Sequence, residues 1–183
     1  MASNVELEMW SDGSVSDSFS GYAFAWALAN GNGFQGQWTA QRHVSDVTLT
    51  ELNGIKAAVE TFESSVLLGF ARGASSADFP RVVLYTDCQD ALDEINLEQG
   101  DGFAFHGGQI RVWVVEHPVV VRGIVAAMKR LDKYHGVSFR IRWQGRRSTP
   151  GGVAVDNWAG QARTIAMRMA GTTQVTATGP FTA

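Results

Sequence analysis

Three consecutive β-strand patterns followed by one long helical pattern restrict the folds open to this chain. Residues 5–10 (VELEMW) alternate apolar and acidic side chains, as a half-buried strand does, and residues 21–29 and 34–43 are further strand candidates. The Asn-Gly-Asn-Gly sequence at residues 30–33 is a strong hairpin signal between the second and third strands. Residues 48–70 then carry apolar side chains at helical spacing. The pattern predicts an antiparallel three-stranded unit that leads into a helix.

Shorter strands and helices alternate along the rest of the chain. Residues 81–86 (RVVLYT) are almost all apolar, which is typical of a central strand covered on both faces. The later predicted elements are a helix at 90–97, a helix from Pro118 to residue 134, a strand at 137–143 and a helix at 153–169, with loops at 72–80 and 98–108 and an ambiguous segment at 110–116. This order predicts an α/β fold, with a mixed five-stranded sheet (three antiparallel strands, then parallel strands) and helices on both faces.

Length and cysteine content limit the class of protein. A chain of 183 residues suits one domain over residues 1–170, and the small, polar residues 171–183 are predicted to form a flexible C-terminal tail. Cys88 is the only cysteine, which excludes an intramolecular disulfide and a cysteine-based zinc site. The most apolar stretch, residues 112–128, is interrupted by charged residues and a proline, so it cannot span a bilayer. We therefore expect a soluble, intracellular (cytoplasmic) protein that does not bind membranes.

The charge is unevenly distributed. The chain has 15 Lys and Arg against 18 Asp and Glu, a net charge of −3 that argues against nucleic-acid binding when taken as an average. Residues 129–147, however, contain seven basic residues and one acidic residue: Lys129, Arg130, Asp132, Lys133, Arg140, Arg142, Arg146 and Arg147. This basic segment could be an ordinary solvated surface, but it leads into the loop before Asp156, an acidic residue in the predicted last helix. We interpret it as a surface that follows phosphates.

A glycine motif at residues 31–36 matches the G-x-G-x-x-G pattern of dinucleotide-binding proteins. That motif must open a helix, whereas the residues that follow it here (GQWTAQRH) have strand character. We therefore predict a hairpin at this point and no organic cofactor.

Four carboxylates lie at predicted strand ends and helix starts, where a shared site could form. Asp12 follows the first strand, Asp87 follows the central strand, Glu51 lies in the first turn of the long helix, and Asp156 lies in the first turn of the last helix. Each position alone has a structural explanation, because acidic residues are favoured in turns and at helix starts. Together they could not all ionise without cations. The combination predicts a divalent metal site, with Mg²⁺ the usual ion beside phosphate.

These residues also carry a resemblance to a known family. The motifs Asp12-Gly13-Ser14, Glu51-Leu52 and Thr86-Asp87-Cys88-Gln89, followed by Asp156, match in order and spacing those of the type 1 ribonuclease H family. The resemblance covers roughly residues 5–170 and implies a ribonuclease H-like fold. It also implies cleavage within the RNA strand of an RNA–DNA hybrid.

The resemblance further implies a role for individual residues. Asp12, Glu51, Asp87 and Asp156 would be catalytic and would hold two Mg²⁺ ions, with Mn²⁺ as the alternative metal. The expected substrate contacts are Ser14, Thr48, Gln89, Arg146 and Arg147. Gln89 matches the family glutamine that reaches the minor groove of the hybrid, where the 2′-hydroxyl distinguishes RNA from DNA.

The chain departs from the family pattern at three positions. By spacing from Asp156, Arg146 occupies the place of the family histidine; arginine cannot act as a general base, but it can hold phosphate. Val47-Thr48 replaces the asparagine pair that contacts the hybrid, and Cys88 replaces a serine. These departures bear on hybrid specificity more than on metal-dependent nuclease chemistry.

Two alternatives to a ribonuclease H remain open. One is a nuclease of the same fold that acts on another substrate, such as structured DNA. The other is a non-catalytic module of this fold that binds nucleic acid or a protein. The four carboxylates argue against the non-catalytic module, because their mutual repulsion would serve no purpose there.

Overall fold

The structure is a computed structural model that describes residues 6–27, 33–71, 81–100, 104–106, 109–111, 114–169 and 173–181. Its strands are β1 (Glu6–Ser16), β2 (Phe19–Ala27), β3 (Phe34–Arg42), β4 (Arg81–Thr86), β5 (Ala104–His106), β6 (Gln109–Arg111), β7 (Phe139–Trp143) and β8 (Gln174–Phe181). Its helices are α1 (Val47–Ala71), α2 (Gln89–Gln99), α3 (Pro118–His135) and α4 (Pro150–Arg168). Apart from the short strands β5 and β6, the order of elements up to α4 is the predicted one.

Six strands form one mixed sheet in the order β7-β4-β1-β2-β3-β8, and β5 pairs separately with β6. Strands β1, β2 and β3 are antiparallel neighbours, whereas β4 is parallel to β1 and β7 is parallel to β4. The predicted α/β fold and its arrangement of antiparallel and parallel strands are confirmed. The sheet nevertheless has six strands rather than the predicted five.

The sixth strand is β8, which pairs antiparallel with β3. The prediction of a flexible tail is therefore wrong for Gln174–Phe181. The sequence of β8 (QVTATGPF) alternates Val175 and Ala177 with the polar residues Gln174, Thr176 and Thr178, but this pattern is short and most of the described side chains are exposed. Its pairing is supplemented by a hydrogen bond between the hydroxyls of Thr39 and Thr176, 2.9 Å apart.

The two faces of the sheet are covered by different helices. On one face, Met9 and Phe24 pack in a core with residues of α1, α2 and α3. On the other face, Trp10 and Ala23 pack against residues of α4. Successive strand residues point to opposite faces, so Met9 and Trp10 belong to different cores. None of the helices in the described part of the chain is long and apolar enough to cross a membrane.

Three boundaries differ from prediction in ways that affect the acidic residues. Strand β1 continues to Ser16, so Asp12 lies inside the strand, opposite Ala23 of β2, rather than after it. Because α1 begins at Val47 and α4 at Pro150, Glu51 and Asp156 lie in the second turns of their helices rather than the first. Helix α4 begins early because the Thr149 side chain accepts a hydrogen bond from the Gly152 N–H and a proline follows it.

Some predictions fall partly or wholly on residues outside the described ranges. The turn at 30–33 is described only at Gly33, and the loop at 72–80 is not described. Strands β2 and β3 on either side of that turn are paired as far as Ala27 and Phe34. Since β3 follows directly, the glycine motif opens a strand and not a helix.

His117 joins the starts of α1 and α3 to the middle of α2. Its ring nitrogens lie 2.8 Å from a Glu94 oxygen and 3.1 Å from an Asp46 oxygen, and its backbone N–H donates to Glu94. Asp46 in turn accepts a hydrogen bond from the Leu49 N–H in the first turn of α1. Burial opposes the charged ring, but these carboxylates outweigh it and raise the pKa of His117. The network supports a structural role for this histidine.

Candidate active site

Asp12 and Asp87 lie next to each other at one end of the sheet. The parallel pairing of β1 with β4 runs as far as Trp10 opposite Tyr85, and each aspartate lies two residues beyond that pair. Glu51 reaches the same place from the second turn of α1. One carboxylate oxygen from each of Asp12, Glu51 and Asp87 lies within 4.8 Å of the other two. The structure thus brings three of the four predicted carboxylates together.

A glycine allows α1 to come this close to the strand. A Cβ at Gly13 would lie 3.1 Å from the Glu51 carboxyl carbon and 3.1 Å from the Thr50 methyl group. The Gly13 backbone N–H also donates a hydrogen bond to Glu51. A side chain at residue 13 would have to displace Glu51 or the start of α1.

Burial and repulsion from neighbouring carboxylates raise the pKa of all three carboxyl groups. Burial raises the pKa of Asp12 to about 7, with further increases from the nearby charges of Asp87 and Asp156. Burial and the charges of Asp12 and Asp87 raise the pKa of Glu51 well above its usual range, and a hydrogen bond between the Glu51 and Asp12 side chains adds to this increase. Burial also raises the pKa of Asp87, although Arg146 opposes this. Without a cation, this cluster cannot be fully ionised near neutral pH.

Two oxygen atoms in the cluster have no hydrogen-bond partner in the part of the chain that the structure describes. Asp12 Oδ2 and Glu51 Oε2 are both buried and unpaired within the described residues. Buried carboxylate oxygens normally accept hydrogen bonds, so oxygens without a partner indicate a site for a ligand. Converging carboxylate oxygens are the ligands preferred by hard divalent ions such as Mg²⁺ and Mn²⁺. Asp12, Glu51 and Asp87 therefore fit a divalent cation.

Asp156 faces the same cleft but is bound by two arginines. One carboxylate oxygen accepts hydrogen bonds from Arg146 at 3.0 and 2.7 Å. The other accepts from Arg147 Nε at 2.8 Å and also from Arg147 Nη2. Burial alone would raise the pKa of Asp156, but the hydrogen bonds from Arg147 and Arg146 lower it below its usual value. Asp156 is thus ionised and neutralised by arginine, whereas the charge of Arg146 only partly offsets the rise in the pKa of Asp12 and Asp87.

Of the remaining predicted substrate contacts, Gln89 lines the cleft of the acidic cluster, and Thr48 and Ser14 lie beside it. Gln89 lines a cleft of about 350 Å³ with Asp12, Glu51 and Asp87, while its amide donates to Asp93 at 2.7 Å. Thr48 is the second residue of α1, and its neighbour Val47 lines the same cleft. Ser14 lies on the other side, in a groove beside α4. The roles of Ser14, Thr48, Gln89, Arg146 and Arg147 stay predictions.

The basic segment 129–147 is exposed, but part of its charge is neutralised. Arg130 forms a two-point ion pair with Glu63, at 2.6 and 2.8 Å. Arg146 and Arg147 are paired with Asp156 as described above. The exposed basic residues of the segment without an ion pair among the described residues are Lys129, Lys133, Arg140 and Arg142. The local positive charge open to a ligand is therefore smaller than the sequence count.

Gln144 lines the cleft that contains Asp12, Asp87 and Asp156, and the sequence did not identify it as a site residue. Its side-chain oxygen accepts hydrogen bonds from the Trp10 indole at 3.1 Å and from Thr149 at 3.2 Å. Its backbone N–H donates to Thr86 at 2.8 Å, directly before Asp87. Gln144 thus connects β1, β4 and the start of α4. No local motif marks it, because its partners Trp10 and Thr86 are distant in sequence.

Comparison with known proteins bears on the fold. No family model and no curated protein matches the chain by sequence. The N-terminal RNase H domain of a Mycobacterium tuberculosis protein, solved as a fusion with maltose-binding protein, has a similar structure at 17% identity, with a TM-score of 0.53 and coverage of 90% of this chain and 97% of that one. LC11-RNase H1 in complex with an RNA/DNA hybrid is similar at 12% identity, with a TM-score of 0.59 and coverage of 88% and 99%. The chain has the ribonuclease H fold.

A third structure supports the same assignment. The RNase H domain of PFV matches at 14% identity, with a TM-score of 0.51 and coverage of 87% of this chain and 94% of that one. These matches span nearly the whole of each ribonuclease H domain, so the similarity extends beyond a shared sheet. The ribonuclease H-like fold implied by the sequence motifs is therefore confirmed. At these identities the similarity concerns the fold, and the chemistry has to be argued from the residues.

Proposed function

We propose that this protein is a metal-dependent endoribonuclease that cleaves the RNA strand of RNA–DNA hybrids by two-metal-ion phosphodiester hydrolysis. The observation that carries the proposal is the pair of buried oxygens on Asp12 and Glu51, beside Asp87, that have no hydrogen-bond partner within the described ranges. The ribonuclease H fold supports it, and one protein of that fold, LC11-RNase H1, is in complex with an RNA/DNA hybrid.

The carboxylates are proposed to hold Mg²⁺, or Mn²⁺ as the alternative. Asp12, Glu51 and Asp87 would form the main set of ligands, and Asp156 would join them from α4. When bound, the two ions would supply an activated water and stabilise the leaving 3′ oxygen. The protein prepares this site by burying carboxyl groups that share protons, which a divalent cation can replace.

Arg146 and Arg147 are proposed to orient the phosphate. Both are exposed, and both line the cleft that contains Asp12, Asp87 and Asp156. Arginine binds phosphate through paired N–H groups, and the Nε and Nη2 groups of each residue now donate together to one Asp156 oxygen. A phosphate entering the cleft can compete for them, which would free the Asp156 oxygens.

Gln89 is proposed to contact the hybrid. It lies at the start of α2, on the rim of the cleft beside Asp87. A glutamine amide both donates and accepts hydrogen bonds, so it can recognise a 2′-hydroxyl in the minor groove.

The proposal is tested with labelled RNA–DNA hybrid, double-stranded RNA and double-stranded DNA in Mg²⁺, Mn²⁺ or EDTA. We expect cleavage of the hybrid's RNA strand alone, none in EDTA, and a loss of at least about 100-fold in Asp87→Asn. Asp132→Asn, the same change at an exposed position on α3, serves as the control. Calorimetric titration with Mn²⁺ gives an independent readout, with Glu51→Gln expected to weaken binding by at least about 10-fold.

Each alternative predicts a different result. Cleavage of structured DNA but not of hybrid would indicate a nuclease with another substrate. Binding of nucleic acid with no cleavage in either metal would contradict the proposal and favour the non-catalytic module.

A further inference from the structure

A groove runs along one side of α4 and opens into the acidic cleft. Its volume is about 660 Å³, and we call it the α4 groove. The groove is lined by Ser14, Asn157, Gly160, Gln161, Arg163 and Thr164. Arg146, Arg147 and Asp156 line both this groove and the cleft that contains Asp12 and Asp87. A ligand in the cleft can therefore continue into the α4 groove without leaving the surface.

The α4 groove is positively charged, in contrast to the chain as a whole. Its lining has three arginines (Arg146, Arg147 and Arg163) and one carboxylate, Asp156, whereas the net charge of the protein is −3. Asp156 is already neutralised by hydrogen bonds from Arg146 and Arg147. The nitrogen Nε of Arg163 is buried and has no hydrogen-bond partner among the described residues. The electrostatics of this groove favour an anion.

The other lining groups can contact a backbone but are poorly placed to select a sequence. Ser14, Asn157, Gln161 and Thr164 offer short hydroxyl and amide groups spread along the groove. Contacts of this kind to phosphate and sugar position a nucleic acid without reading its bases. From Asn157 to Ile165 the helix rises roughly 12 Å, at about 1.5 Å per residue. Along the axis of a duplex, successive nucleotides of one strand are about 3.4 Å apart, so that length suits a stretch of backbone rather than a single phosphate.

We propose that the α4 groove binds the sugar–phosphate backbone of the substrate strand where that strand leaves the acidic cleft. The inference rests on the proposed nuclease function and extends it. The strand is held on both sides of the reacting phosphate, with Arg146 and Arg147 at the junction and Arg163 farther along α4.

Two variants remove this interaction in different ways. Arg163→Gln removes the positive charge. Gly160→Glu adds bulk and a negative charge at a position where an added Cβ meets no atom within 4 Å, so the fold has room for the side chain. The matched control is Arg81→Gln, which changes the net charge by the same amount. Arg81 is exposed and begins β4, at the opposite end of that strand from Asp87.

The measurement is the fluorescence anisotropy of a labelled RNA–DNA hybrid with Mg²⁺, in an Asp87→Asn background that holds substrate without cutting it. We expect each groove variant to raise the dissociation constant by about 5-fold or more. The slope of log K against log salt should become shallower by about 0.9 in Arg163→Gln, because one phosphate contact is lost. Arg81→Gln should change neither quantity. With Asp87 restored, the groove variants should raise KM more than they lower kcat.

The outcomes separate this inference from the proposed function. If wild-type protein cleaves hybrid but the groove variants bind it as tightly as Arg81→Gln does, the α4 groove proposal is overturned and the nuclease proposal stands. If no hybrid is cleaved but the variants still weaken binding selectively, the groove proposal stands and the nuclease proposal falls. If the protein with Asp87 intact neither binds nor cleaves hybrid, both are overturned.

Discussion

Asp12 lies inside a β-strand among other carboxyl groups, where burial and their charges raise its pKa from 3.8 to about 7. Between these two pH values the folded state keeps a proton that the unfolded state has released. The free energy of unfolding therefore falls as pH rises from about 4 to about 7, according to the linkage between proton binding and folding. The acidic cluster thus weakens the fold at neutral pH.

Replacing Asp12 with a residue that does not titrate should remove this loss of stability at neutral pH. We expect Asp12→Asn in EDTA to raise the Tm by roughly 5 °C at pH 8, and the gain to disappear near pH 4. Thermal unfolding followed by circular dichroism across this pH range checks it. Asp17→Asn is the control, because Asp17 is exposed and has a positive φ of 53° that asparagine tolerates. Equal Tm values for Asp12→Asn and wild type at pH 8 would contradict the prediction.

Individual residues also show what the sequence can and cannot predict about the site. Asp12 and Asp87 could be predicted as neighbours, because both follow runs of strand residues that a parallel pair brings to the same end of the sheet. The contact of Arg146 and Arg147 with Asp156 could not. It depends on the turn between β7 and α4, where Arg147 has a positive φ of 51° that no pattern in the sequence marks.

Among the strands and helices, too, some features could be predicted from the sequence and others could not. The strands and helices of the core were predictable because apolar spacing records which face is buried. The full length of β1 was not predictable, because the sequence Ser-Asp-Gly-Ser is typical of a turn. Pairing with β2 keeps this segment extended as far as Ser16, which lies opposite Phe19. The start of α4 was missed because Pro150 and two glycines resemble a loop. The Thr149 cap and the packing of Gly151 on Trp10 explain why a helix forms there.

The packing of α4 on the sheet should depend on Gly151. A Cβ at this residue would lie 2.1 Å from the Trp10 indole, so Gly151→Ala has to move the first turn of α4 away from β1. We expect a loss of about 1–3 kcal/mol in the free energy of unfolding, measured by urea denaturation. Gly160→Ala in the same helix has open space at its Cβ and should be stabilising by about 0.5–1 kcal/mol. Similar effects of the two substitutions would show that close contact with Trp10 is not the cause.

At the scale of the whole molecule, β8 covers the edge of the sheet. Without it, β3 would present unpaired backbone groups from Phe34 to Gln41, and exposed strand edges favour association between chains. The prediction from sequence overlooked β8 because its alternation of apolar and polar residues is short, and Thr176 and Gln174 hydrogen-bond to side chains of β3 instead of entering the core.

Removal of residues 174–183 should therefore lower stability and promote self-association. We expect a loss of about 2–3 kcal/mol in the free energy of unfolding, together with oligomers whose amount increases with protein concentration. Urea denaturation and size-exclusion chromatography measure the two effects. Removal of residues 182 and 183 alone leaves β8 intact and is the control. A monomeric truncated protein with unchanged stability would show that β8 is dispensable.

The arrangement of helices on both faces of the sheet has a consequence for the nascent protein. Glu51 comes from the helical layer on one face and Asp156 from the layer on the other, while Asp12 lies in the strand between them. A ribosome has to release residues 12 to 156, and both layers have to dock, before the four carboxylates can meet. A partly synthesised chain therefore lacks the assembled acidic cluster, and the cleavage proposed for it would begin only after most of the domain has been made and folded.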